Sequence, residues 1–96
     1  MQGGWIYIMA DVPHGTIYIG VTADLAARIY QHRIGQGSAF CRKYGLTRVV
    51  YMEQHATIQE AIQREKAMKA WKRIWKTQRI SAANPDWDDL YEQINA

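Results

Sequence analysis

The chain has 96 residues, a formal net charge of +3 and one cysteine, Cys41. This length predicts a single domain over residues 1–96. With 48% hydrophobic and 22% charged residues, the composition is globular and excludes a disordered chain. One cysteine excludes an intramolecular disulfide, and no apolar run approaches the roughly 20 residues of a membrane-spanning helix. We therefore expect a small cytoplasmic domain that is not attached to a membrane.

All twelve lysine and arginine residues fall in two blocks of the sequence. Residues 28–48 carry no acid, and residues 61–80 carry a single acid, Glu65. Two basic blocks on a small fold can form one positive face for phosphate groups, or they can be two solvated helix faces. The bases expected to contact nucleic acid are Arg33, Lys43, Lys66, Lys69, Lys72, Arg73 and Lys76.

Two runs of β-branched and aromatic residues, at residues 5–9 and 16–21, predict a β-hairpin. If Tyr7 pairs with Tyr18, residues 11–14 form a four-residue loop, and both tyrosine side chains lie on the same face of the sheet. A slip of one residue would place the tyrosines on opposite faces, and the sequence leaves that register open.

The next segment predicts a helix, a short turn and a third strand. Thr22 or Asp24 can cap a helix that ends near Arg33. One helical turn can form over residues 40–44, and residues 46–52 form the third strand.

The remainder of the chain is predicted to be helical. Thr57 can cap a long helix over residues 58–76, and a final short helix would span residues 87–94. The apolar face of the long helix would consist of Ala61, Ile62, Met68, Trp71 and Trp75. The element order ββαβαα predicts an α+β domain, in which helices cover a small sheet.

Glu65 lies within the apolar arc of this long helix, between Ala61 and Ile58 on the helical wheel. A carboxylate at this position faces the sheet or a cleft, and its burial is costly unless it is paired or binds a metal. One interpretation is an ion pair with Lys69, four residues later. The other is a metal ligand or an acidic group of an active site.

Arg28 and His32 are also four residues apart and lie beside Leu25 on the first helix. An arginine can hold a phosphate through its planar guanidinium, and a histidine can accept or relay a proton near neutral pH. The alternative is a surface arginine beside a half-buried histidine. Tyrosines on strands, such as Tyr7 and Tyr18, are by themselves more typical of packing than of catalysis. The other aromatic residues predicted to pack in the core are Trp5, Tyr30, Tyr44, Tyr51, Trp71 and Trp75.

As an ordered set, these elements resemble the GIY-YIG nuclease domain, in particular the small stand-alone bacterial proteins of that superfamily. The matching segments, which span residue 5 to about residue 90, are Trp5-Ile6-Tyr7, Tyr18-Ile19-Gly20, Arg28 with His32, Lys43-Tyr44, Ala61-Ile62 with Glu65-Lys66, Lys69 with Trp71-Lys72, and Asn84-Pro85-Asp86-Trp87. The first tripeptide departs from the family pattern, because Trp5 replaces the glycine and adds bulk beside the site.

The resemblance implies a three-stranded antiparallel sheet flanked by helices and the hydrolysis of phosphodiester bonds with one divalent ion, Mg²⁺ or Mn²⁺. Tyr7 and Tyr18 would lie at the site, with Tyr7 helping to activate the attacking water. Arg28 would bind the scissile phosphate, and His32 would orient the water or the tyrosine, or pass a proton. Glu65 would hold the metal.

Asn84 corresponds to a polar residue near the site in some members of the family. The predicted function is that of a metal-dependent DNA endonuclease in DNA repair or processing, with RNA left open as a substrate. The alternative is a non-catalytic nucleic-acid-binding module that retains the fold. A protein partner could supply the targeting in either case.

Overall fold

The fold is a three-stranded antiparallel sheet with helices on both of its faces. The computed structural model describes residues 3–94, and its strands are β1 (Gly4–Ala10), β2 (Ile17–Thr22) and β3 (Arg48–His55), arranged in the order β2-β1-β3. The helices are α1 (Leu25–Arg33), α2 (Ala39–Tyr44), α3 (Ile58–Ala70), α4 (Arg73–Ala83) and α5 (Tyr91–Ile94). The predicted α+β fold is confirmed. None of the helices described over residues 3–94 has the length and apolar character needed to cross a membrane.

The hairpin of β1 and β2 differs in register from the prediction. Tyr7 pairs with Gly20, and Met9 pairs with Tyr18, so the expected pairing of the two tyrosines is wrong by two residues. A shift of two residues leaves every side chain on its predicted face, because side chains alternate with a period of two. Tyr7 and Tyr18 therefore share a face as diagonal neighbours. Gly20 makes room for this arrangement, since a Cβ atom there would lie 2.3 Å from the ring and hydroxyl oxygen of Tyr7.

The turn between β1 and β2 is also longer than predicted and spans residues 11–16. The Asp11 side chain accounts for the difference. Its Oδ1 atom accepts hydrogen bonds from the backbone N–H groups of Val12 and Thr16, each at 2.8 Å. An aspartate that bonds to nearby backbone in this way stabilises a wider turn without further strand pairing.

The helix predicted over residues 58–76 is interrupted. Trp71 and Lys72 adopt extended backbone conformations, with ψ of 153° and 147°, between α3 and α4. The bend turns Ile80 of α4 into the core, where it is fully buried, whereas Trp75 stays 50% exposed. The helical spacing of the apolar residues continues across this two-residue bend. Periodicity alone therefore did not predict the interruption of the helix.

Two further boundaries differ from the prediction. The helix expected over residues 87–94 begins only at α5, because Trp87 is fully buried with a positive φ of 54° that a right-handed helix excludes. The strand expected over residues 46–52 is β3, which begins two residues later, at Arg48. The reason is that the backbone N–H of Leu46 still bonds to the carbonyl of Cys41 in α2, at 2.9 Å.

Several aromatic residues expected in the core are exposed. Tyr30 is 53% exposed and Tyr44 is 49% exposed, because each lies on a helix face that points away from the sheet. Tyr51 is buried, and Trp5 and Trp71 are partly buried against the core, as predicted.

The side chains of β1 alternate between two hydrophobic layers. Ile6, Ile8 and Ala10 pack in the layer that contains residues of α3 and α4, whereas Tyr7 and Met9 pack in the layer that contains residues of α1 and α2. The face of the sheet that carries Tyr7 is therefore the one covered by α1.

A polar network joins β3 to α3 on the other face of the sheet. The Glu53 carboxylate accepts hydrogen bonds from the Tyr51 hydroxyl at 2.6 Å and from Arg64 Nε at 2.9 Å, and it lies 2.7 Å from His55 Nε2. Burial by itself raises the pKa of Glu53, but the hydrogen bonds from Tyr51, Arg64 and His55 outweigh burial and lower the pKa to about 2. The network therefore favours the ionised carboxylate and stabilises the fold.

Replacing Glu53 with glutamine should lower the free energy of unfolding by about 2 kcal/mol at neutral pH, because the charge-assisted hydrogen bonds to Arg64 are lost. A carboxylate with a lowered pKa stabilises the fold above its ordinary pKa, and that contribution is lost as the pH falls toward 2. The difference between Glu53→Gln and the parent in urea unfolding should therefore shrink in acid. Glu60→Gln, an exposed acid in the first turn of α3, should cost less than about 1 kcal/mol. Equal unfolding of Glu53→Gln and the parent at neutral pH would contradict the role of the network.

Candidate active site

Three of the residues predicted for the site form one hydrogen-bonded cluster. The Tyr7 hydroxyl lies 2.9 Å from His32 Nε2, and Arg28 Nε donates to the same hydroxyl at 3.2 Å. Tyr7 is 1% exposed and His32 is 2% exposed, while Arg28 is partly exposed. Because Arg28 and His32 are one helical turn apart on α1, both reach the single tyrosine that β1 presents beneath that helix.

The hydrogen bonds limit where the protons of this cluster lie. The Tyr7 oxygen accepts from Arg28, and when the proton of a neutral His32 is on Nδ1 the Tyr7 hydroxyl donates to Nε2. Burial and the positive charge of Arg28 lower the pKa of His32 to about 4. Burial raises the pKa of Tyr7 to about 12, against the opposing hydrogen bond and charge of Arg28. At neutral pH the resting cluster therefore contains a neutral histidine, a protonated tyrosine and a charged arginine.

The environment of the other ring nitrogen of His32 differs from that of Nε2. Its Nδ1 atom has no hydrogen-bond partner among residues 3–94. Gly37 lies against it, since a Cβ atom at this position would be 2.1 Å from Nδ1. The loop between α1 and α2 thus presses the imidazole toward Tyr7, and a side chain at position 37 would displace it.

Tyr18 lies beside the cluster at the edge of the sheet. Its ring centroid is 6.0 Å from that of His32, and Lys69 Nζ lies 5.8 Å from the centre of the Tyr18 ring. Lys69 belongs to α3, which packs on the opposite face of the sheet from α1. The Lys69 side chain therefore reaches from α3 to the ring of Tyr18 at the edge of the sheet.

Glu65 is positioned through the same lysine. Its Oε2 atom lies 3.3 Å from Lys69 Nζ, and its side chain is 14% exposed. The predicted ion pair is therefore present. Within residues 3–94, Glu65 makes no hydrogen bond to the Tyr7 cluster. It lies next to Lys69, which in turn contacts the ring of Tyr18.

Comparison with known families identifies this arrangement. The model of the GIY-YIG catalytic domain matches residues 3–78. The chain belongs to the GIY-YIG family. Its Tyr7 and Tyr18 lie within the matched residues, on the two strands of the hairpin.

Similar proteins carry this GIY-YIG domain over most of their length. UPF0213 proteins of Staphylococcus aureus, from strain Mu3 and, as SAV0488, from strain Mu50, are 31% identical over 80 residues, which cover 83% of this chain and 96% of theirs. The solution NMR structure of UPF0213 protein BH0048 from Bacillus halodurans aligns with a TM-score of 0.57 and 26% identity. It covers 95% of this chain and 96% of that chain. These names state no activity.

The donor set of this GIY-YIG domain is sparse for a metal. Among residues 3–94, no group of three or more His, Cys, Asp or Glu side chains is placed to hold an ion. Glu65 nevertheless offers one mostly buried carboxylate, and the neighbouring Lys69 ammonium already places a positive charge 3.3 Å from it. Mg²⁺ keeps several of its waters and commonly takes one or two carboxylates together with substrate phosphate oxygens. Glu65 would be the single protein ligand of a Mg²⁺ or Mn²⁺ ion, which would compete with Lys69 for the carboxylate, and this role stays a prediction.

Asn84 makes its hydrogen bonds to the backbone and not to the Tyr7 cluster, within residues 3–94. Its Nδ2 atom donates to the carbonyls of Val50, at 3.1 Å, and Asp88, at 2.9 Å, while Oδ1 accepts from the N–H of Asp88. These bonds fix the segment after α4 to β3. A role of Asn84 beside the active site stays a prediction.

Three of the predicted nucleic-acid-binding bases lie on the Tyr18 side of this GIY-YIG domain. Lys69 and Lys76 line a cavity of about 300 Å³ together with Tyr18 and Phe40. Lys43 lies on α2, close by in the fold. These bases could bind phosphates next to the cluster.

The other predicted bases do not line this cavity. Arg33 forms an ion pair with Asp89, and Arg73 donates to the backbone of the hairpin turn. Lys66 is exposed on α3, and Lys72 is exposed at the α3–α4 bend. Contact of the seven predicted bases with nucleic acid stays a prediction.

Two residues near the cluster were missed from the sequence. Arg28 Nη1 donates to Gln31 Oε1 at 3.0 Å, so the outer side of the guanidinium already has a neutral partner. Phe40 was assigned no role, although its spacing of four residues from Tyr44 on a helical turn was a usable signal.

Proposed function

We propose that this GIY-YIG domain is a metal-dependent endonuclease that hydrolyses phosphodiester bonds of DNA, in a cytoplasmic repair or processing role. The observation that carries the proposal is the hydrogen-bonded cluster of Arg28, Tyr7 and His32. A cation, a hydroxyl and a neutral imidazole in contact are the groups needed to bind a phosphate and remove a proton from water.

Arg28 would bind the scissile phosphate. Its Nε atom bonds to Tyr7, while Nη1 bonds to an exposed, neutral partner, Gln31, and the guanidinium also interacts with the Tyr18 hydroxyl. A phosphate oxygen can replace Gln31 without breaking the bond to Tyr7, and the charge-assisted bond that results is the stronger one. The phosphate would then lie beside the Tyr7 hydroxyl, and Arg28 would stabilise the negative charge that develops on its oxygens.

Tyr7 and His32 would form a proton path. A phenol with a pKa of about 12 is not ionised at neutral pH, so Tyr7 cannot act as a free base. It can accept the proton of the attacking water while it passes its own proton to His32 Nε2, which the geometry holds at 2.9 Å. The bound phosphate would offset the positive charge of Arg28, one of the two causes of the low pKa of His32.

Glu65 would hold the divalent ion, which when bound neutralises charge on the phosphate and the leaving oxygen. Tyr18 would lie between Glu65 with Lys69 on one side and His32 on the other. Its ring contacts would fix the relative positions of the two halves of the site.

Cleavage by this domain should require Mg²⁺ or Mn²⁺ and should fall about 10²-fold or more in Glu65→Ala, because the only carboxylate proposed to bind the ion is lost. The measurement is nicking and strand cleavage of duplex, single-stranded, flap and branched DNA, with an RNA strand as a further substrate. Glu60→Ala, an exposed acid on the same helix, is the matched control.

Titration of the metal separates the two interpretations of Glu65. If Glu65 binds the ion, Glu65→Gln should need far more Mg²⁺ than the parent, whereas Lys69→Met should not. If Glu65 acts only through its ion pair, both variants should behave alike. Full activity of Glu65→Ala would reject its proposed role as the metal ligand.

The second candidate function is a nucleic-acid-binding module without catalysis. The sparse donor set around Glu65 favours it. It predicts salt-dependent binding and no metal-dependent cleavage of any substrate in the same panel. The buried proton path from Tyr7 to His32 supports the endonuclease, since binding alone needs no such path.

A further inference from the structure

Three aromatic rings run outward from the candidate site. The Tyr18 and Phe40 rings stack with centroids 6.1 Å apart and an interplanar angle of 26°, and the Phe40 and Tyr44 centroids are 4.9 Å apart. Phe40 is 42% exposed and Tyr44 is 49% exposed. We call Tyr18, Phe40 and Tyr44 the aromatic ladder. Large contiguous aromatic surface in water is typical of a binding surface.

Helix α2 is built to hold these rings outward. Cys41, between them in sequence, is 2% exposed and packs in the core with Leu46. Ser38 caps the helix by accepting from the N–H of Cys41, and Gly45 ends it with a φ of 68°. Phe40 and Tyr44, four residues apart, share the helix face that the buried cysteine leaves free.

Positive charge lies along the ladder. Lys43 Nζ is 5.3 Å from the centre of the Tyr44 ring, and Lys69 Nζ is 5.8 Å from that of Tyr18. Lys69 and Lys76 line the cavity beside Tyr18 and Phe40. Lys69 also pairs with Glu65 at 3.3 Å, and Lys76 Nζ donates to the Lys69 carbonyl at 3.1 Å. Exposed aromatic faces flanked by lysines bind bases by stacking and the backbone by charge, which is how single-stranded nucleic acid is held.

We propose that the aromatic ladder binds unpaired bases of the DNA strand on one side of the scissile phosphate. The inference rests on the proposed function and names its substrate class as DNA with an unpaired segment. Tyr18 belongs to both parts of the surface, because its ring lies 6.0 Å from that of His32 and stacks with Phe40. In a duplex the faces of the bases are covered by their neighbours, so only an unpaired strand can stack on Phe40 and Tyr44.

Binding without metal tests the proposal. Fluorescence anisotropy in EDTA compares a labelled single strand with a duplex of the same sequence, for the parent, Phe40→Ala and Tyr44→Ala. Each variant should weaken single-strand binding by about five-fold or more, the effect of losing one stacked base, and duplex binding by less than about two-fold. Tyr30→Ala is the matched control, since Tyr30 is 53% exposed on α1 and outside the ladder.

Conservative variants exclude a folding defect. Phe40→Tyr and Tyr44→Phe keep an aromatic ring and should bind the single strand as the parent does. Equal weakening for single strand and duplex, or an equal effect of Tyr30→Ala, would overturn the proposal.

The outcomes for the two proposals are separate. If the parent cleaves no DNA with Mg²⁺ but the alanine variants lose single-strand binding, the endonuclease fails and the ladder stands as a binding surface. If the parent cleaves DNA but Phe40→Ala and Tyr44→Ala bind normally, the ladder fails and the endonuclease stands.

Discussion

Replacing Arg28 with alanine should lower the rate of DNA cleavage by about 10³-fold, the scale on which a donor that stabilises developing charge contributes. The guanidinium is the only cation that contacts the Tyr7 hydroxyl within residues 3–94. Its loss removes the phosphate contact and the hydrogen bond to Tyr7 together. The decrease should appear mainly in the rate constant of the cleavage step, measured under single-turnover conditions with saturating protein.

Arg28→Lys and Arg42→Ala sharpen this test. A lysine keeps the charge, but its ammonium lacks the planar fork that bonds to Tyr7 and a phosphate at once, so about 10²-fold should still be lost. Arg42→Ala removes an exposed charge from α2 and should change the rate by less than about three-fold. Independently of cleavage, Arg28→Ala should raise the pKa of His32 in NMR titration, because a nearby positive charge is removed. Parental cleavage by Arg28→Ala would show that this cluster is not the site.

Replacing His32 with glutamine should lower the cleavage rate by about 10³-fold, because the amide keeps a hydrogen bond to Tyr7 but cannot take up a proton.

The same variant should lose a pH dependence of stability. The pKa of His32 is lowered from 6.5 to about 4 in the folded protein. Between these values the unfolded chain binds a proton that the folded chain does not. Stability from this group is thus complete above pH 6.5 and is lost as the pH falls toward 4.

Urea unfolding measures this effect directly. Between about pH 7 and pH 4.5 the parent should lose about 2 kcal/mol through His32. His32→Gln should not show this decrease in the free energy of unfolding. Glu53 and the other titrating groups should change the stability of both proteins equally with pH. The difference in stability between parent and His32→Gln should therefore narrow in acid. Parallel pH curves would contradict a buried neutral His32.

The relative placement of Tyr7, Arg28 and His32 follows from local sequence rules. The two α1 residues share a face because they are four apart, and the tyrosines share a face under any even shift of register. This is why an error of two residues in the hairpin did not affect the expected arrangement. The environment of Glu65 was also predictable in part. Its place in the apolar arc predicted a shielded carboxylate, and its spacing of four residues from Lys69 gave the ion pair as one of two interpretations.

Other features depend on contacts that spacing does not encode. The Asp11 side chain stabilises the turn after β1, and the bend between α3 and α4 places Ile80 in the core. Glu53 and Arg64, 11 residues apart in sequence, meet only after α3 has packed on β3. The residue type alone could not predict whether Tyr44 is exposed or buried, because an aromatic residue on a short helix occurs in either environment.

The buried Trp87 bears on what constitutes a folding unit in this chain. The family match ends at residue 78, yet the fully buried Ile80 and Trp87 complete the hydrophobic layer beneath α3. Arg48 reaches the carbonyl of Trp87 at 3.1 Å, and the N–H of Leu90 extends the hydrogen bonding of β3. The packed structure therefore extends beyond residue 78: a fragment that ends there would lack Ile80 and Trp87 and would expose the apolar residues against which they pack.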